Sequence, residues 1–172
     1  MDATADELAG VVDLFGGLTR AELERALAEA AYRADGQSVD EAALEEAIEA
    51  ALESFALVRY DPERGSDAAA DGAGPDGDGS EPLLVAGPTA FPTVPDHAED
   101  VPHILDVERR RLDRAALGEA ARERFVAVAD DAVTADDAER IRTLLDISYD
   151  LEAWAPVDCT DERTRLEDAL EE

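Results

Sequence analysis

Lysine and asparagine are both missing from this chain, and the 15 basic residues that oppose 44 Asp and Glu are therefore all arginine. Without lysine there is no phosphate-binding loop of the type that closes a Gly-rich turn with Lys-Ser or Lys-Thr. Cysteine occurs once, at Cys159, so an intrachain disulfide is excluded, which fits a reducing compartment. No run approaches the 18 or so continuous apolar residues of a membrane-spanning helix. The opening residues, Met1 to Glu7, have neither the basic nor the apolar stretch of a signal peptide. Aromatic residues make up only 5%, which points to a lean core of modest stability in dilute buffer.

What the chain has in quantity is acid. A formal net charge of -29 opposes compaction through like-charge repulsion. At molar salt the Debye length falls to about 3 Å and most of that repulsion is screened. The joint loss of Lys and Asn, amid abundant Ala, Gly, Arg and Asp, points to a GC-rich genome. Together these features predict a cytoplasmic protein of an extreme halophile. On that reading the acidity is an adaptation to the solvent and carries no information about a partner. At 172 residues there is room for one core, or one core with a helical extension. The 45% hydrophobic content excludes wholesale disorder.

Along the chain, Thr4 with Glu7 forms a capping-box pattern ahead of Leu8, Val11, Val12 and Phe15, which recur at helical spacing until Gly16-Gly17. Thr19 with Glu22 repeats the pattern, with Leu18 and Leu23 placed as a hydrophobic staple, and predicts a second helix ending before Gly36. Ser38 with Glu41 predicts a third, striped by Leu44, Ile48, Ala51, Leu52 and Phe55. Residues 55–60 then turn aromatic and β-branched, as a strand does, and Leu83 to Ala86 reads as its return. Between them residues 65–80 are rich in Gly, Asp and Ala and predict a flexible acidic loop. Residues 89–102, with Pro92, Pro95 and Pro102, read as a connector. A long helical region follows from about Val101 through Leu105, Leu112, Leu117, Phe125 and Ala132, with Gly118 as an interruption or kink. Thr134 with Asp137 predicts a further helix to Trp154, and Thr160 a last one.

Three short helices followed by a hairpin resemble a winged helix-turn-helix domain over residues 4–88, a likeness of architecture carried by no short motif. The stretches Phe15 to Leu23 and Leu83 to Pro92 also resemble uncharacterised protein families of halophilic archaea. That resemblance implies a lineage and a compartment but no activity and no site residues.

The winged-helix likeness implies DNA readout by the third helix, and the charges speak against it. Residues 38–54 hold Asp40, Glu41, Glu45, Glu46, Glu49 and Glu53 with no basic residue, so a helix laid in a groove brings six carboxylates towards phosphate. Protein docking is the better expectation, since one fold serves both purposes. The densest basic cluster is Arg109, Arg110, Arg111 and Arg114, followed by Arg122 and Arg124. Its functional reading is contact with an acidic protein or with nucleic acid. Its structural reading is a salt-bridged helix in which Asp106 meets Arg110, Glu108 meets Arg111 and Glu119 meets Arg122. Both histidines, His97 and His103, lie among carboxylates and are weak metal candidates. Pro102 breaks any regular spacing between them, and the pattern matches no ligand signature. Cys159 stands outside any nucleophile context, and Trp154 reads as a packing residue.

The expectation is thus a mostly α protein with a small antiparallel hairpin. It comprises a winged-helix-like unit at 1–88 with its loop at 65–80, a connector at 89–102, and a helical region at 103–172 packing on the first. The expected role is a non-enzymatic protein-interaction or regulatory module without cofactor or metal, contacting a protein partner or a second copy. A DNA-binding regulator, and a small metal-binding protein or enzyme, stand as the alternatives.

Overall fold

The computed structural model describes residues 3–36, 38–62 and 81–171. The acidic loop expected at 65–80 lies outside them. Among the described residues the chain is mostly helical with one two-stranded antiparallel sheet, and it divides into two compact units between Leu112 and Asp113.

In the first unit the capping signals act as the sequence reads. α1 (Ala5–Phe15) and α2 (Arg20–Asp35) each start in a closed capping box, Thr4 with Glu7 and Thr19 with Glu22. α3 (Glu41–Glu53) differs: its cap is Asp40, whose side chain accepts from the Ala43 N–H, and not Ser38. Asp is as good a cap as Ser, and here it lies directly before the apolar stripe. Leu8, Val12, Phe15, Leu23, Leu27, Leu44, Ile48 and Leu52 close one core.

The strand expected at 55–60 is shorter. α3 ends at Ser54, Phe55 turns left-handed at φ 62° with its ring buried, and only then does β1 (Leu57–Tyr60) begin. β1 pairs antiparallel with β2 (Leu83–Ala86), Leu57 opposite Ala86. On the other edge of β2 the α1–α2 connection adds one rung: the Leu18 N–H donates to the Leu84 carbonyl at 3.0 Å and receives the reverse bond at 2.7 Å.

The stretch 89–102 is held against α1. The Thr93 N–H donates to the Asp6 carbonyl at 2.9 Å, and the Phe91 N–H to the Asp6 carboxylate at 3.0 Å. The expected long helix from Val101 is not formed. α4 (Val101–Leu105) stops after one turn at Asp106, which is left-handed at φ 52°, and residues 107–113 are neither helix nor strand. Residues 107–112 stay with the first unit, where the Arg110 N–H donates to the Phe15 carbonyl, a contact no local periodicity announces.

The second unit is a bundle of α5 (Arg114–Thr134), α6 (Ala138–Trp154) and α7 (Thr160–Glu171). Asp113 caps α5. Asp137 caps α6, whereas Thr134 belongs to the end of α5. Leu117, Phe125, Ile141, Leu144, Leu151 and Leu166 are its main buried side chains. Gly118 is a packing position and not a kink: a Cβ there would sit 2.6 Å from that of Ala155.

Candidate interaction site

The six clustered arginines do not share a helix face. Arg109, Arg110 and Arg111 lie in the irregular end of the first unit, and Arg114, Arg122 and Arg124 on α5 of the second. Of the helix-local pairs expected for them, none forms: the ion-pair partners of Arg110 and Arg122 are Glu22 and Glu162. The cause in the first unit is the missing helix, since residues 106–113 have no i,i+4 geometry to offer.

Arg110 is the most committed of the six. Its guanidinium donates to both oxygens of Glu22 at 2.9 Å and to the Gly17 carbonyl at 2.9 Å. Glu22 also accepts the Thr19 N–H at 2.8 Å, so one carboxylate completes the capping box and holds a segment remote in sequence. Burial works to raise the Glu22 pKa, but the hydrogen bonds from Arg110 and Thr19, with the Arg110 charge, outweigh it and leave the carboxyl below its ordinary value. Backbone contact reinforces the clamp. Gly16 is left-handed at φ 75°, and a Cβ there would stand 2.0 Å from the Arg110 carbonyl oxygen.

Exposure along the segment then alternates. Arg110 and Leu112 are half-buried, while Arg109 and Arg111 are exposed. Among the described residues the side chains of Arg109 and Arg111 have no hydrogen bond, ion pair or ring contact; on α2, the Arg25 side chain is the same.

In the second unit the arginines are engaged. Arg114 lies over the half-buried Trp154 ring, 4.8 Å from its centroid. Arg122 donates to the Asp158 carbonyl at 2.9 Å and to Glu162 at 2.5 Å; Arg124 has its own partner. Beside them lies a polar knot that sequence reading missed. Arg163 spans Glu152 and Ser148 and stacks on Tyr149 at 4.1 Å, and Glu152 accepts the Cys159 N–H at 2.8 Å. Cys159 is buried beside Glu152, and its thiol is pushed up to about 11 by burial and then by the charges of Glu152 and Glu162. A thiol so placed stays protonated and is a poor nucleophile at neutral pH.

The acidic face of α3 is partly neutralised within its own unit. Arg20 reaches Glu45 at 3.0 Å and Glu49 at 3.2 Å, and Arg59 lies 4.0 Å from Glu49. Glu41 and Glu46 remain exposed. His97 and His103 are both exposed, and His97 is left-handed at φ 67°. Among the described residues no group of three His, Cys, Asp or Glu side chains converges as a metal site. No helix among them is long and apolar enough to cross a membrane.

The model of one protein family, described as Family of unknown function (DUF7109), matches residues 6–171. No curated protein and no solved structure matches the chain.

Proposed function

The chain belongs to that family of unknown function, and from this premise we propose that it is a non-enzymatic protein-interaction or regulatory module of a halophile cytoplasm. The observation that carries the reading is α3. In a winged-helix-like order of three helices and a hairpin, this helix stands where nucleic acid is read. Yet it presents Glu41 and Glu46 to solvent and spends Arg20 and Arg59 on its own Glu45 and Glu49. A duplex brought to that face meets carboxylate, and high salt removes the counterion-release gain that drives ordinary DNA binding. The rung from Leu18 to Leu84, which ties the α1–α2 connection to the hairpin, supports the winged-helix-like description.

Two further observations support protein docking over chemistry. The thiol is buried and held protonated, and the histidines stand apart from any convergent ligand group among the described residues. The test is co-purification of the tagged chain from its native host at molar KCl, with mass spectrometry of retained proteins and sequencing of retained nucleic acid. A stoichiometric protein without enriched DNA is the expected result. Enriched, sequence-specific DNA overturns the reading in favour of a regulator.

A further inference from the structure

Arginine is scarce here, at 15 residues against 44 acids. Most described arginines take one or find another partner: Arg20, Arg33, Arg59, Arg110, Arg122, Arg163 and Arg165 are ion-paired, and Arg114 is stacked. Against that background the Arg109-Arg110-Arg111 run is organised differently. Its middle residue is fixed by Glu22, by the Gly17 carbonyl and by its own N–H to Phe15. Its outer two face solvent with no partner among the described residues.

The alternation of exposure from Arg109 to Leu112 has the period of an extended chain. Side chains two residues apart on such a chain leave the same side, about 7 Å from one another. The anchor at Arg110 therefore holds an exposed arginine on either side of it, on a backbone tied to the first unit. Guanidinium is built for planar, two-point recognition of carboxylate or phosphate, and an ordered backbone lowers the entropy lost on binding.

We infer that Arg109 and Arg111 form a two-pronged docking site for an acidic segment of a protein partner, one that presents carboxylates two residues apart in extended conformation. The inference rests on the protein-docking reading above and names its surface. A short acidic peptide fits better than a nucleic acid strand. A strand needs a continuous basic track, whereas these prongs are bracketed by the exposed Glu108 and Asp113 on a chain of net charge -29. At molar salt only direct contact survives screening, and two forks on two carboxylates is a direct contact.

The test compares three tagged chains in the same host co-purification at molar KCl: wild type, Arg109→Gln/Arg111→Gln, and the charge-matched control Arg33→Gln/Arg142→Gln. Far-UV circular dichroism establishes that each is folded. The expected result is a protein partner retained by wild type and control, with recovery falling about tenfold in the Arg109/Arg111 variant. Retention of that partner by wild type should also be competed by free Ser-Asp-Ser-Asp-Ser and much less by Ser-Ser-Asp-Asp-Ser. This second arm decides the matter even if the variant proves poorly folded. Equal recovery by all three chains overturns this inference and leaves the docking reading standing. Equal loss in the control reduces the effect to net charge and overturns it too. Absence of any protein partner from wild type removes both readings, and nucleic acid lost from the Arg109/Arg111 variant alone overturns the choice of a protein ligand.

Discussion

Arg110 closes a two-point ion pair on Glu22, 88 residues earlier in the chain, with both N···O distances at 2.9 Å. Neither partner is fully buried, the side chains keeping 20% and 15% exposure. The pair is therefore screened more than a core pair, but it is bidentate and tied to backbone at each end.

Removing one side of the clamp should cost stability. We expect Arg110→Gln to lower the stability of the first unit by about 1–3 kcal/mol, the range for a charge-assisted bond whose partner is left partly buried and unmet. Urea denaturation at molar KCl measures this. A loss within error would place the pair among surface bridges of negligible worth.

The same carboxylate sets an acid limb. The Glu22 pKa is lowered on folding from the ordinary 4.5. Its contribution is therefore fully present above that ordinary value and is lost as pH falls through the lower, folded value. Wild type should lose stability on acidification in that window, and Glu22→Gln should start lower and show a flatter limb there. Identical slopes for the two chains would exclude Glu22 as a contributor.

Two glycines with the same left-handed backbone should respond differently to alanine. Gly36, at φ 65°, has nothing within 4 Å of a would-be Cβ, so Gly36→Ala carries only the backbone penalty of about 1–2 kcal/mol. Gly16→Ala adds a collision with the Arg110 carbonyl oxygen at 2.0 Å. It should cost several kcal/mol, on the scale of about 4 that marks severe lesions. Comparable melting temperatures for the two variants would mean that the Arg110 segment yields freely.

Cys159 should resist alkylation in the folded protein. Its neutral thiol contributes to stability fully below the ordinary value of 9.0, and that contribution is lost as pH rises through about 11. Iodoacetamide labelling at molar KCl should be slow at pH 8 and rise steeply only above pH 10 or so. Unfolding in urea should restore the rate of a free thiol. Fast labelling of the native chain at pH 8 contradicts the burial.

Salt should govern folding as a whole. With 29 uncompensated negative charges, repulsion is strong in dilute buffer and mostly gone when the Debye length falls to about 3 Å. Thermal midpoints should therefore climb steadily from millimolar to molar KCl. A midpoint independent of salt would remove the main support for a halophile origin.

Local grammar is legible in the amino-acid sequence itself. Thr4 with Glu7 and Thr19 with Glu22 mark two helix starts because a capping box is a four-residue event that needs nothing distant. The stripe Leu44, Ile48, Leu52 is buried as its periodicity requires, and Leu83 to Ala86 is a strand. Two of the misreadings fall where local signals compete, Ser38 against Asp40 and Thr134 against Asp137: each is a competent cap for a helix starting at a slightly different residue, and only the final turn decides between them. Composition in turn set the class: mostly helical, acidic, without a membrane-crossing helix among the described residues.

Tertiary structure alone decided the arginines. Residues 106–113 carry no helix breaker, so the sequence reads on as helix. What stops it is the Arg110 N–H finding the Phe15 carbonyl and the guanidinium finding Glu22, partners distant along the chain. The same holds for Arg122 with Glu162 and Arg163 with Glu152, which close a polar knot beside Cys159. Helix periodicity reports which face is apolar, because burial repeats every turn. It does not report which of several chemically equivalent carboxylates an arginine will meet, because that depends on which distant segments the packed core brings within 3 Å or so. Which carboxylate each ion-paired arginine meets was therefore settled only when the core closed.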